Sequence, residues 1–326
     1  MNIIMKMKSL LTSTIILGIA FGISSCSDNK KNPVNPVNTN TVQAMFQQMA
    51  ETPQSFTVTA GTSKTITGAR GTVITFNPQS FKDGAGNIIS SGDVDIKLTE
   101  AYTPGQMIMN GLNTTTVSHN LLTSGGSVNI VATVNQHEVF ANNYKLSFPQ
   151  PANSDNPMAL YKGTTTTELP GARNIWGDDT TSTIMRTTKD SLNQNSFFYV
   201  FDTCVNFNWI NCDHFYSAPD PKTDIKVVMP DTSYNSTNTQ VFVVFPTINS
   251  VASMYSYDVA THTFSFGFPA YYLPVGTVIK IVVLGGKDNT FFMDKQTNVS
   301  VTSGMSVTSN PTTTTISTIQ STLSTL

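Results

Sequence analysis

The residues best equipped for chemistry are concentrated in one short run, Asn208-Trp209-Ile210-Asn211-Cys212-Asp213-His214-Phe215. Cys212, Asp213 and His214 supply a thiol, a carboxylate and an imidazole, the groups that hold a transition metal or pair a nucleophile with a base. Adjacent residues of an extended segment point to opposite faces, so Cys212 and Asp213 do not converge easily on one ion. The run is therefore read as a structural corner, with Trp209 packed and Asn211 or Asp213 satisfying backbone groups in a turn. Elsewhere His119, His137, His214 and His262 are scattered, with no i, i+4 pair. No serine sits in a G-x-S-x-G elbow, and no phosphate-binding glycine pattern follows a strand. Among 20 acidic residues no carboxylate pair stands out for glycoside chemistry. The chain is expected not to be an enzyme and to carry no metal and no cofactor.

The chain has 3 cysteines, and they divide by position. Lys6 and Lys8 precede an apolar run from Leu10 to Ile23, which is shorter than the roughly 20 residues needed to span a bilayer as a helix. The run ends in Ile23-Ser24-Ser25-Cys26, where small residues admit a peptidase and a thiol accepts a diacylglycerol. This pattern resembles a bacterial lipobox, which implies a signal peptide over residues 1–25 and acylation of Cys26, the new first residue, by lipid such as palmitate. The alternatives are an ordinary secretory signal and an uncleaved anchor. Cys204 and Cys212 are left, eight residues apart, in an exported compartment that permits a disulfide. A bridge and a pair of buried thiols both suit that spacing.

Weaker candidates remain. Asp93 and Asp95, and Asp178-Asp179 beside Gly177, offer oxygen ligands of the kind calcium takes, without EF-hand spacing, and read first as solvated turn residues. Trp176, Tyr255, Tyr257, Phe264, Phe266, Phe268, Tyr271 and Tyr272 suit either a sugar-stacking platform or one packed sheet face, with packing favoured. Asp179-Thr180-Thr181 and Asp190-Ser191-Leu192 resemble the Asp-Ser/Thr-apolar acceptor for O-glycosylation in Bacteroidetes-type bacteria, which makes Thr180 and Ser191 candidate glycan carriers.

The elements that position these groups follow from composition. Thr, Ser and Asn number 48, 32 and 29, while charged residues make up only 12% of 326 residues. Exposed helices need Glu, Lys and Arg on their wet faces, whereas Thr and Val suit strands, so the chain reads as mainly β. With 18 basic against 20 acidic residues there is no basic face for a nucleic acid. Residues 26–40 are polar, with Pro33 and Pro36, and form an extended tether. A short helix follows: Val42, Met45, Phe46 and Met49 share one face, Thr41 caps it and Pro53 closes it. From Phe56 the period becomes two, with short strands bounded by turns such as Asp83-Gly84-Ala85-Gly86-Asn87. Turn formers from Pro149 to Pro157 mark a boundary between β domains at 41–150 and 151–310. Later strands are expected at Val251 to Tyr257, Thr263 to Phe268 and Val299 to Val307. In the Thr-rich tail, 311–326, Ile316, Ile319, Leu323 and Leu326 fall on roughly one helical face, and a packed terminal helix and a frayed end are both open.

Two stretches are familiar. Gly68 to Tyr102, GARGTVITFNPQSFKDGAGNIISSGDVDIKLTEAY, continuing to Ser124-Gly125-Gly126 and the strand Val128 to Val134, resembles the ZU-type β domain of ankyrins, netrin receptors and zonula occludens proteins. Asn77-Pro78 stands where that pattern usually has Ile/Val-Pro. The Trp209 to Asp213 segment is similar to one found downstream of such a domain in Bacteroidetes-type lipoproteins. The resemblance implies two β-sandwich-like domains, an outer-membrane or surface location, and assembly rather than catalysis. The expectation is a lipid-anchored cell-envelope protein, held by membrane lipid through acylated Cys26 and engaging an envelope protein or a glycan. The periplasmic and the surface side are both open. The alternatives are a carbohydrate-binding surface lipoprotein using the second-domain aromatics and, third, a hydrolase with no recognisable motif.

Overall fold

The computed structural model describes residues 41–150, 158–166, 173–182, 186–189, 197–267 and 273–326, with the backbone alone at 165–166, 173–174, 178–182 and 186–189. The expected mainly β class is what it shows: strands dominate and the helices are short. Among the described residues, eight strands form a first sheet. Its order is Gln54–Thr59, Asp93–Ala101, Leu122–Val134, Asn208–Phe215, Ala159–Thr166, Arg173–Ser182 and Leu112–Thr116, with His137–Glu138 pairing off the third. A second sheet runs Arg186–Lys189, Phe197–Cys204, Tyr144–Pro149, Val73–Phe76, Lys64–Thr67. These two close over a core of alternating side chains such as Val94, Ile96, Leu98, Ile74, Phe76, Leu146, Phe201 and Ile210.

Period-two patterning does the local work. Val94, Ile96 and Leu98 are buried, while Asp93, Asp95 and Lys97 face water. On the wet face Thr59 donates to Asp93 (3.0 Å), Thr57 to Asp95 (3.4 Å), and Lys97 to Ser55 (2.7 Å), so the aspartates belong to cross-strand pairs. The inward series ends at Glu100, fully buried. Its carboxylate accepts from the backbone N–H of Arg70 (2.9 Å) and Thr72 (3.0 Å), from Thr72 Oγ1 (2.5 Å) and from Gln54 Nε2 (2.8 Å). Only a glycine fits at position 68, where a Cβ would lie 2.6 Å from that carboxylate. Glu100 thus seals one end of the sandwich by folding the Gly68–Thr72 loop over it.

A third sheet, Ser250–Ser253, Thr239–Phe245, Val278–Lys287, Thr290–Ser300, Thr312–Thr314, and a fourth, Ser256–Asp258, Thr263–Ser265, Lys226–Val228, Ser306–Thr308, form a second sandwich. Every residue of Thr239–Phe245 is buried. Val241, Val243 and Phe245 face the core shared with the fourth sheet, and Phe242 and Val244 face the other way. A strand apolar on both faces needs cover on both. The second cover is three helices, α1 (Val42–Met49), α2 (Pro104–Met109) and α3 (Ile316–Leu323), with Tyr161 and Trp176 of the first sheet. Thr41 accepts from Ala44 N and caps α1, as the sequence predicts. The tail helix is packed, with Ile319 and Leu323 buried and Gln320 Nε2 donating to Met49 O (3.2 Å). Helix α2 was not anticipated, although Thr103-Pro104-Gly105-Gln106 makes a capping box.

The boundary expected at 150/151 falls inside the first sandwich. Strands from Ala159 to Phe215 complete the two sheets begun before residue 150, and the second sandwich starts only after Phe215. The turn formers near Pro149 mark a crossing between elements of the same sandwich. The expected strand from Val251 to Tyr257 is broken into Ser250–Ser253 and Ser256–Asp258, and Val299 to Val307 holds a turn between two strands. The described residues fall in one compact unit. Because the third sheet shares its core with helices from both chain halves, the protein is expected to melt in one cooperative transition. A chain ending at Pro219 should bind a hydrophobic dye and lose near-ultraviolet dichroism; independent melting of that piece would contradict the shared core.

Candidate functional site

Asn208–Phe215 is a central strand, between Leu122–Val134 and Ala159–Thr166, and not a corner. Its alternation separates the groups that looked catalytic. Ile210 and Cys212 point into the first core, and Asn211 and Asp213 point to the opposite face, toward Tyr161. The partner strand makes that face polar by a bulge: Asn211 lies opposite Ser127 and Asp213 opposite Ser124, so three steps on one strand match two on the other. The extra residue, in Gly125-Gly126, brings Ser124 and Ser127 to the same side. Glycine is required there, since Gly126 has φ +119° and a Cβ would meet the Tyr102 ring at 2.3 Å. Ser127 Oγ and Ser124 Oγ approach Asn211 Oδ1 at 2.8 and 3.3 Å, and the Asn211 amide contacts Asp213 Oδ2.

The second sandwich covers this end of the strand. Asn249 Nδ2 donates to Ser124 O (3.1 Å) and Tyr102 O (3.0 Å), and Ser250 Oγ donates to Leu122 O. Val251 N donates to Thr114 Oγ1 (2.8 Å), which donates to Val251 O (3.0 Å); Ser253 Oγ donates to Asn113 Oδ1 (2.5 Å). Side chains of one edge strand thus satisfy the backbone of another across the seam. Burial pushes the Asp213 carboxyl well above the usual carboxylate range, while bonds from Ser124, Asn211 and the Gly125 backbone pull it partly back. The same burial, with Asp213 nearby, pushes the Tyr161 phenol up to about 12. The constellation holds a carboxyl whose charged form burial disfavours inside a seam, which is structural chemistry.

The other predicted residues are dispersed. Cys204 and Cys212 sit in facing sheets as buried free thiols, the second of the two readings that their spacing left open. Burial pushes Cys204 up to about 12 and raises Cys212 well above the usual thiol range. Trp209 is half-buried, its Cβ against Gly163, where a Cβ would lie 2.8 Å away. Among the described residues no three His, Cys, Asp or Glu side chains gather to hold a metal. The aromatic platform is taken apart: Trp176, Phe264 and Phe266 are buried, with Trp176 Nε1 donating to Asn113 O (2.6 Å), and Tyr257 packs on Phe264 with the rings tilted 46° to each other. Phe268, Tyr271 and Tyr272, like Cys26 and Ser191, lie outside the described residues; Thr180 lies in strand Arg173–Ser182 opposite Tyr161, with backbone alone described.

A feature the sequence did not single out lies at the opposite end of the first sandwich, an open cleft of about 540 Å³. Phe81–Lys82 pairs with Phe140–Ala141, and Lys82 also bridges Ile88. Phe81 and Ala141 point into the core, where Phe81 stacks on Phe76 at 4.9 Å, so Ile88, Lys82 and Phe140 form a row on the outer face. Asp83 closes the adjoining turn, its carboxylate accepting from the N–H groups of Ala85 and Asn87 (both 2.9 Å) and from Asn87 Nδ2 (3.1 Å). These bonds, the Asn87 side chain foremost, hold it below the usual range. Across the cleft stand Val205, Asn206 and Asn208, the first two on a link pinned by Tyr144 OH donating to Asn206 O (2.6 Å), with Lys162 beside them. Phe140 is 42% exposed and Val205 46%.

No known family model matches this chain, and no curated protein matches it. The described residues include no helix long and apolar enough to cross a membrane.

Two measurements check the seam and the thiols. Since the Asp213 carboxyl is raised in the folded chain, its contribution to stability is fully present below about pH 4, the unfolded carboxylate range, and is lost as pH rises through the folded value. Asp213→Asn should therefore gain in melting temperature relative to wild type as pH goes from about 5 to about 9; parallel pH curves would contradict a carboxyl raised by burial. Thiol titration of the unfolded, unreduced chain should find Cys204 and Cys212 both reactive, and a count that rises on reduction would restore the bridge.

Proposed function

We propose that the chain is a lipid-anchored cell-envelope protein, at the outer membrane, with a non-catalytic binding or assembly role. The observation that carries the non-catalytic part is how its chemically capable groups are used. Asp213 and Asn211 hold a seam, Glu100 folds a loop over the sandwich end, and Cys204 and Cys212 are core thiols. A catalytic centre needs such groups presented together to a substrate. The anchoring part rests on the apolar run that ends at Cys26. The resemblance of Gly68 to Tyr102 to a ZU-type domain supports an assembly role.

Metabolic labelling with a fatty acid tests the anchor. Wild-type chain should carry label and partition with membranes, and Cys26→Ser should lose both; label retained in Cys26→Ser would overturn the assignment.

A further inference from the structure

We propose that the cleft between Phe140 and Val205 is a binding site for a neutral oligosaccharide, a reading that rests on the non-catalytic binding role above. The argument starts from what the cleft exposes. Phe140 is a half-exposed aromatic side chain paired beside Lys82, with Ile88 on the far side of the same row. Alternation along the ribbon puts these three outward while Phe81 and Ala141 fill the core, so the Phe140 ring lies outside the core cluster. Around it the cleft carries hydrogen-bonding groups of both senses: the amides of Asn206 and Asn208, the ammonium groups of Lys82 and Lys162, and the carboxylate of Glu138.

Charge decides the class of ligand. Lys82 and Lys162 are matched in number by Asp83 and Glu138, and the Asp83 carboxylate is occupied by its own turn. Among the described residues Lys82, Glu138 and Lys162 make no ion pair, so their polar ends are open to a ligand. A strongly anionic or cationic ligand would meet a like charge on one wall. A wholly apolar ligand would cover these polar groups without giving them partners, at the cost of their hydration. A hexose unit satisfies both demands: its C–H face lies on the Phe140 ring, and each hydroxyl both donates and accepts toward Asn206, Asn208, Lys162 and Glu138. The cleft volume falls within the usual range of ligand sites, roughly 300–1,000 Å³, room for a few sugar units.

Calorimetric titration of the full chain in detergent with maltohexaose, cellohexaose and mannohexaose tests this, with an oligogalacturonate and an unrelated acidic peptide as charged comparisons. At least one neutral hexaose should bind, Phe140→Ala should weaken it about tenfold, and Phe140→Trp should keep it, with melting temperatures unchanged because the ring is on the surface. Binding of the oligogalacturonate or the peptide alone, no binding by any hexaose, or binding indifferent to Phe140→Ala would overturn the proposal. Chromatography of the recovered sugar separates it from the broader reading: a hexaose bound and returned intact supports both, whereas one returned shortened leaves the site standing and removes the non-catalytic role.

Discussion

The whole molecule depends on one constraint, a β-sheet that is apolar on both faces. Thr239–Phe245 and Val278–Lys287 cannot sit at a surface on either side. The fourth sheet covers one face, and the chain recruits its remaining apolar elements to cover the other: a helix from the start of the described chain, one from the middle and one from the end, with two aromatic residues of the first sheet. That demand fuses what would otherwise be two sandwiches. It also explains why the seam is so rich in hydroxyl and amide side chains. Edge strands that meet without pairing leave backbone groups unsatisfied, and Thr114, Ser250 and Asn249 supply the missing partners, while Ser253 and Asn113 join side chain to side chain.

The same demand accounts for the fate of the residues that first suggested chemistry. Asp213 would be an ordinary carboxylate on an open sheet face. It is buried because the second sandwich covers that face, and the Gly125-Gly126 bulge puts two serines on the side where they bond Asn211 Oδ1, whose amide in turn contacts Asp213. The polar third of the sequence accordingly has different roles in different places. Threonines on the edge at Gln54–Thr59 bond to aspartates in water, whereas those at Leu112–Thr116 are fully buried and join two sheets.

Much of this was legible in the sequence, and the exceptions are instructive. The strand class, the α1 helix with its Thr41 cap and the apolar stripe of Ile319 and Leu323 follow from local periodicity, whereas the Trp209–Asp213 run, read as a corner, is a central strand. What local pattern cannot carry is partnership. The turn formers near Pro149 look the same whether they separate domains or link strands of one sandwich, and only the pairing of Asn208–Phe215 with Leu122–Val134 decides. Cys204 and Cys212 have a spacing that suits a bridge, yet strand direction places them on facing sheets as separate core residues. The cleft was missed for a similar reason: Lys82, Phe140 and Val205 are unremarkable singly and meet only through a two-residue ribbon.

The position of α1 has a mechanical consequence. Force applied to the chain ahead of Thr41 arrives at a helix whose Val42, Met45, Phe46 and Met49 are bedded against α3 and the third sheet. It does not arrive at a free edge strand that could peel away one hydrogen bond at a time. Extracting the helix means opening the core shared by both sandwiches, so the load is borne by the most cooperative part of the structure. A protein pulled from this end resists as a single body.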